Sequence, residues 1–494
     1  MRQNYKPEPT LDIPGCTTYN EYKFSENKFI KNRRRAVEKF IGRSNELALL
    51  REALSKPSAS VMVYGKRKVG KTTLLAQALK ESADTAVYYE CLKSTLEDNV
   101  SGFVTELVRQ GVLPVKLNFA SFADVFAYVD SLGKTLNIVI DEYPYLKEMA
   151  EPATVDSQFQ KIIDNYIRHI RLFISGSHVG MMKDMLAEKN ALYGRFSLTL
   201  RLTELNYKEA AEFYPEKSVY DKVALYSVFG GSPFVNGFLR PDADLKSNIV
   251  QTILNPNSPV FNYAERLLIS DCAKMINAER IMYAIANGRK KYGKIEALLN
   301  MKSNGLLSKQ LASLLEMEIL SKYYPINRPE DKKKVSYELS DNLLRFYYAF
   351  VYKNKSALTM LGAEAFYDEY IGTPIITFIS HRFEEMCRSY FSLSVKSGRL
   401  RGIGDIGAYY YDDAESHANG EFDVVMRRKD IYDIYEVKYH TSPLSLVEMD
   451  REAQQVRRIK GLPLGDIGFI SVSGFEKNDA PYKQISGEEL YACS

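Results

Sequence analysis

Residues 61–75, VMVYGKRKVGKTTLL, decide how the rest of the chain is read. An apolar run, Val61, Met62, Val63 and Tyr64, leads into Gly65. After four intervening residues come Gly70, Lys71 and Thr72, and then an apolar helical pattern through Leu74, Leu75, Ala78 and Leu79. This is G-x-x-x-x-G-K-[ST] with a strand before it and a helix after it, the context the motif requires. Glycines let the backbone curl so that successive N–H groups face a phosphate, and a helix N-terminus adds partial positive charge. Lys71 is placed to reach the β- and γ-phosphates of ATP, and the Thr72 hydroxyl to ligate Mg²⁺. Gly65, Lys66, Arg67, Lys68, Val69, Gly70, Lys71, Thr72 and Thr73 are therefore the expected nucleotide-binding run.

Outward from this loop, residues 137–142 read NIVIDE. Ile138, Val139 and Ile140 form a continuous apolar run, as in a parallel strand buried on both faces. It ends on two carboxylates. At the C-terminal edge of such a sheet, Asp141 would hold Mg²⁺ and Glu142 would polarise the attacking water. A third strand-like run, Leu172-Phe173-Ile174, ends on Ser175, Gly176 and Ser177, small groups suited to sensing a γ-phosphate. Upstream, Phe40-Ile41-Gly42-Arg43 resembles the F-x-G-R element with which many AAA+ ATPases line the adenine pocket.

The ordered set GKRKVGKT, IVIDEYPYL, LFISGSHVGMM, LYGRF and GGSPF resembles the archaeal-type ATPase family of AAA+ proteins, also widespread in bacteria, over roughly residues 40–240. That resemblance implies a sensor role for Ser175. It implies that Arg195 is the arginine approaching a γ-phosphate, from a neighbouring subunit in a homo-oligomer. It also places Gly230 to Phe234 in a helical lid over the nucleotide.

Beyond residue 241 helical periodicity takes over. A helix near residues 295–299, a second carrying Leu306, Leu307, Leu311, Leu314 and Leu315, a charged stretch at 327–334 and an alternating run at 335–339 follow the order of a winged helix. Lys332, Lys333 and Lys334 are its best phosphate-contacting residues. Residues 341–352 (DNLLRFYYAFVY) read as an aromatic packing helix.

Further on, a helix is expected from Phe383 to about Leu393, followed by two strands flanking Lys429-Asp430. If those two residues form a tight loop, Arg428 faces Ile431 and, counting outward, Asp423 faces Glu436. Directly opposed residues share a face, and Lys438 joins them because strand side chains repeat every two residues. This D…E-x-K set is similar to the PD-(D/E)XK nuclease signature, and many members of the resembled ATPase family carry such a domain. The resemblance implies that Asp423 and Glu436 hold Mg²⁺ against a scissile phosphate, that Lys438 orients water, and that Glu384 supplies an additional acidic ligand.

The expected fold is thus α/β: a P-loop AAA+ parallel-sheet domain, a helical lid, a winged helix and a C-terminal α/β restriction-endonuclease-like domain. The expected segments are a polar arm at 1–39, an ATPase core at 40–215, a lid at 216–270, the winged helix and aromatic helix at 271–352, and the nuclease-like domain at 353–494. A length of 494 residues accommodates this number of units. Five scattered cysteines with no C-x-x-C pair argue against a zinc site or disulfide framework and for a reduced, cytoplasmic chain. No run of about 18 apolar residues predicts a membrane span. The net charge of +4 names no partner by itself. The expected function is an ATP-binding and hydrolysing switch coupled to a Mg²⁺-dependent DNA nuclease. The alternative is a nucleotide-gated DNA-binding regulator or scaffold whose C-terminal domain does not cut.

Overall fold

β1 (Ala59–Tyr64) is buried at every residue. An uninterrupted apolar strand of this kind is stable only where both faces of a sheet are covered. β2 (Thr85–Glu90), β3 (Leu136–Asp141), β4 (Ile170–Gly176) and β5 (Leu198–Arg201) complete a five-stranded sheet in the order β2-β3-β4-β1-β5, with every adjacent pair parallel. β3 and β4 are buried throughout as well. The chain leaves β1 for the far edge and returns strand by strand, so the order reverses at β1 and opens a crevice at the carboxyl ends. In register, Val63 lies beside Ser175, and Glu90 beside Asp141.

This computed structural model describes residues 40–492 except 272–274, 276, 301–304, 414–417 and 478. The arm at 1–39, with its basic cluster at 31–35, lies outside them. Cys91 and Cys387 are free and buried. Among the described residues no helix is long and apolar enough to cross a membrane.

One face of the parallel sheet is closed by helices Leu96–Arg109, Phe122–Ser131 and Pro152–Asn165, which interlock Phe103, Phe122, Phe126 and Phe159. Thr95 and Ser121 cap two of these helices through side-chain oxygens that accept from the third residue on. Each buried phenylalanine contributes about 2–3 kcal/mol of burial free energy.

A second apolar core runs from Tyr207 to Leu490 and crosses the expected lid, winged-helix and C-terminal boundaries. Helices Ala278–Ala286, Tyr292–Leu299 and Leu306–Glu316 lead into an antiparallel ribbon, β6 (Leu320–Tyr323) with β7 (Ser336–Leu339). Asn342–Phe346 then passes into a π-helical turn, Tyr347–Val351. The loop of the ribbon is not a free wing. Ile326 N–H donates to the Ala408 carbonyl (2.7 Å), and Asn327 pairs with the backbone of Tyr410 through both amide atoms. Lys334, expected to contact phosphate, instead lies over the Tyr410 ring, 3.5 Å from its centroid, while Lys332 and Lys333 are exposed.

The C-terminal sheet contains β8 (Asp405–Asp413), β9 (Ala418–Arg428), β10 (Ile431–Lys438), β11 (Leu464–Ser471) and β12 (Lys483–Ser486), ordered β12-β11-β10-β9-β8. β8, β9 and β10 form an antiparallel meander, and β11 and β12 continue parallel to β10. A long helix, Ile375–Lys396, precedes the meander, and Leu446–Arg457 supplies the crossover from β10 to β11. The first of these begins well before Phe383, because Ile375 and Ile379 also bury against the core.

Glu204, just past β5, accepts from the Gly231 N–H (3.2 Å) and hydrogen-bonds Asp341, which caps Asn342–Phe346. Burial first, then the Asp341 charge, push the Glu204 carboxyl up to about 8, with Lys66 opposing. In the unfolded chain such a group ionises near pH ~4.3. The folded state therefore holds the extra proton, and the stability it contributes is lost as pH rises toward 8. Glu204→Gln keeps the hydrogen-bonding pattern without the ionisation. Its melting temperature should gain on the wild type as pH goes from 5 to 8.5, and parallel melting curves would contradict this assignment.

Candidate nucleotide site and C-terminal carboxylate site

Helix Lys71–Lys80 starts directly from Gly70, whose φ of 95° is open to glycine. Gly65 is needed for a different reason: a Cβ there would stand 2.1 Å from the Leu202 carbonyl oxygen. The loop between them is curled tightly enough that the Lys71 ammonium donates to its own Gly65 (2.9 Å) and Lys66 (3.1 Å) carbonyls. Burial lowers the Lys71 pKa, and Glu142 and Asp141 counter that. Thr72 and Thr73 are exposed on the first turn of the helix.

Asp141, only 4% exposed, gathers the site. One oxygen accepts from the Thr72 hydroxyl (3.0 Å) and from Tyr88 Oη, the other from Ser175 Oγ and the Glu142 N–H (3.0 Å). Glu142 takes a left-handed backbone (φ 50°), and its Oε2 accepts from Ser177 N–H (3.1 Å) and Oγ (2.8 Å). The sequence motifs therefore come together as expected, with two additions. Tyr88 was missed because nothing local says that β2 lies beside β3. Ser177 lay in the quoted motif, yet its bond to Glu142 depends on the turn after β3.

The segment 230–234 packs on the loop from above. Ser232 Oγ donates to the Lys68 carbonyl (3.2 Å), the Lys68 ammonium lies 4.6 Å from the Phe234 centroid, and Pro233 abuts Gly70. Arg67 donates to Tyr145 Oη (3.3 Å) and its carbonyl accepts from Tyr263. Val69 is buried.

Arg43 departs from its expected place in a base or phosphate pocket. Its guanidinium is buried and donates to the carbonyls of Val69 (3.2 Å) and Thr203, with Glu46 as its ion pair (3.2 Å). It therefore staples the phosphate loop to the exit of β5. Gly42 shares the left-handed turn (φ 66°), while Phe40 and Ile41 are half-buried and irregular. Arg195 binds Asp164 (3.0 Å) and the Tyr193 carbonyl.

A model of an ATPase domain predominantly from Archaea matches residues 40–235. The matched segment contains the phosphate-loop motif and all five strands of the parallel sheet. A second family, described as archaeal and bacterial proteins of unknown function, matches residues 347–456. The chain is 28% identical over 343 residues to protein MJECL04 of Methanocaldococcus jannaschii, covering 67% of this chain and 74% of that one. Among solved structures it is similar to a Walker-type ATPase of Pyrococcus abyssi (17% identity, 63% and 97% of the two chains, TM-score 0.49). It is similar also to the ORC2 protein of Aeropyrum pernix (14% identity, 66% and 98%, TM-score 0.46).

Beyond the ATPase domain, the hairpin keeps the register that its two-residue turn predicts, from Ile431 opposite Arg428 to Tyr435 opposite Val424. Lys429 adopts φ 51° to make the turn. Asp423 lies one step past the last of these pairs, where β9 bulges against β8 between the Gly407–Val425 and Tyr409–Phe422 pairs. Such bulges re-aim side chains. Lys438 lies 3.9 Å from Glu436 and 3.4 Å from Glu452 of helix Leu446–Arg457, a partner the sequence reading did not identify. Burial raises Glu436, against Lys438, with Glu452 and Asp423 adding to the rise. Burial, then the Asp423 charge, push Glu384 up to about 8. The expected acidic groups thus feel one another electrostatically. Among the described residues, however, no three His, Cys, Asp or Glu side chains close into a ready-made metal cage.

Arg43→Ala should orphan two loop carbonyls. A loss of about 1–3 kcal/mol per buried acceptor is expected, read by denaturant unfolding. A stable variant that has lost only nucleotide affinity would restore the phosphate-contact reading of Arg43.

Proposed function

We propose that the protein is an ATP-binding and hydrolysing switch whose C-terminal domain is a Mg²⁺-dependent DNA nuclease. At the first site, the loop N–H groups and the N-terminus of helix Lys71–Lys80 bind phosphate. Lys71 exchanges the Gly65 and Lys66 carbonyls for phosphate oxygens. A hydroxyl and a carboxylate 3.0 Å apart, Thr72 and Asp141, offer oxygen donors of the kind a hard divalent ion takes. Mg²⁺, when bound there, neutralises charge on the phosphate oxygens. Glu142 orients and deprotonates the attacking water, and Ser177 fixes its rotamer until then. Ser175 reports the γ-phosphate. Arg195 reaches a neighbouring copy's phosphate after leaving Asp164, which is the form in which a homo-oligomer is proposed.

For the C-terminal domain, the reading is supported by the helix–meander–helix–strand order, by a hairpin register that runs to one step short of Asp423 and Glu436, and by the Asp423 charge that raises the Glu436 carboxyl. Asp423 and Glu436, with Glu384 behind them, offer the oxygen donors a divalent ion takes alongside water and phosphate oxygens. That ion, when bound, activates water and neutralises a phosphodiester. Lys438 orients the water. The segment between Ala278 and Leu339, read as a winged helix, presents DNA to it. One observation favours the non-cutting alternative, a nucleotide-gated DNA-binding regulator: Lys438 is already held by two carboxylates.

Glu142→Gln should lower ATP turnover by about 10²–10⁴-fold with nucleotide affinity retained. Asp423→Asn or Glu436→Gln should abolish Mg²⁺-dependent cleavage of DNA with ATP binding unchanged. Salt-sensitive DNA binding by the wild type without cleavage under Mg²⁺ or Mn²⁺, with and without ATP, would select the regulator instead.

A further inference from the structure

The ribbon strand β6 lies between two polar clusters, one at Glu318 and one at Tyr323. Immediately before it, Glu318 takes a left-handed backbone (φ 59°) and is gripped by Lys183 (2.7 Å) and Arg201 (2.5 Å). Both partners belong to segments that build the nucleotide site. Lys183 lies in helix Val179–Asp184, which begins two residues after Ser177, the residue that holds Glu142. Arg201 ends β5 and pairs with Tyr64, the last residue before Gly65. A shift in either segment therefore reaches Glu318 through charge-assisted bonds.

At the far end of β6, Tyr323 donates to Glu421 (2.5 Å), and its ring lies 5.4 Å from the Arg388 guanidinium. Arg388 in turn donates to the backbone carbonyl of Asp423 (2.6 Å). That carbonyl sits in the β9 bulge, where the ladder leaves backbone groups unpaired. The Arg388 bond thus fixes the peptide from which the Asp423 carboxylate projects. All four residues of β6 are paired with β7, so the strand between Glu318 and Tyr323 is held in extended form.

We propose that Arg388 and Tyr323 are positioning residues for Asp423, and that β6 carries the state of the nucleotide site to them through Glu318. The inference rests on the reading of the C-terminal carboxylates as a metal site. Partners that orient a ligand without touching the ion change metal affinity by about 10–100-fold when removed. An effector linked to such a site changes its affinity by about 5–150-fold.

The test is Mn²⁺ titration of the full-length chain, counting only the binding that Asp423→Asn removes, so that Mn²⁺ at the phosphate loop is subtracted. Arg388→Gln should weaken that binding by about tenfold or more. Arg388→Lys, which keeps a donor for the carbonyl, should restore most of it. Should Arg388→Gln fail to fold, as thermal melting would report, Tyr323→Leu carries the same expectation. A non-hydrolysable ATP analogue should change the wild-type affinity about fivefold or more, and should have no effect in Glu318→Gln. Undiminished Mn²⁺ binding in the Arg388 and Tyr323 variants overturns the positioning role while leaving the metal site standing. An analogue effect that survives Glu318→Gln, or none in the wild type, overturns the transmission. A wild type with no Asp423-dependent Mn²⁺ binding removes the metal site itself, and the inference with it.

Discussion

A carboxyl group buried to the extent of Asp141 must find hydrogen-bond donors inside the protein, because water cannot reach it. Three hydroxyls and one N–H meet that demand, and they come from four different segments: Thr72 from the helix after the phosphate loop, Tyr88 from β2, Ser175 from β4 and the Glu142 amide from the turn after β3. The strand order β2-β3-β4-β1-β5 is what makes this convergence feasible, since β3 lies between β2 and β4, and β4 borders β1. The helix after the phosphate loop, the turn after β3, β2 and β4 are therefore tied to one group. A shift in any of them is felt by the others through this shared carboxylate.

Legibility followed locality. The phosphate loop could be read because its glycines, lysine and threonine act within a few residues of one another, and the NIVIDE strand because burial on both faces leaves a continuous apolar run. The hairpin register could be read from Arg428–Ile431 to Val424–Tyr435 because a two-residue turn fixes the pairs that follow it, whereas the bulge at Asp423 has no local signal. Arg43 could not be placed in this way: its partners are carbonyls at Val69 and Thr203, and a carbonyl has no sequence signature. Glu452 escaped for a related reason, since its approach to Lys438 depends on how the crossover helix lies on the sheet. The ion pair of Arg195 with Asp164 could not be read either, since Asp164 sits in a helix that no motif marked.

The region between the ATPase domain and the C-terminal sheet is better described as a splice than as a linker. A single apolar core spans Tyr207 to Leu490, and within it Glu204 and Asp341 share a hydrogen bond beside the turn that packs on the phosphate loop. Burial first, and then the neighbouring Asp341 charge, raise the Glu204 carboxyl, because a second negative charge is costly in a low-dielectric setting. The join is therefore held by chemistry as well as by packing.

The pairing of Ile326 and Asn327 with β8 has a consequence for the chain's behaviour in company. β8 is the outermost strand of its sheet, and an outermost strand with free amides and carbonyls is a template for other chains. Here a segment from elsewhere in the same molecule occupies part of that border, aided by Lys334 laid across Tyr410. A C-terminal sheet cut loose from its ribbon would bare this border and tend to stick to its own copies, so the ribbon also acts as a built-in guard against clumping.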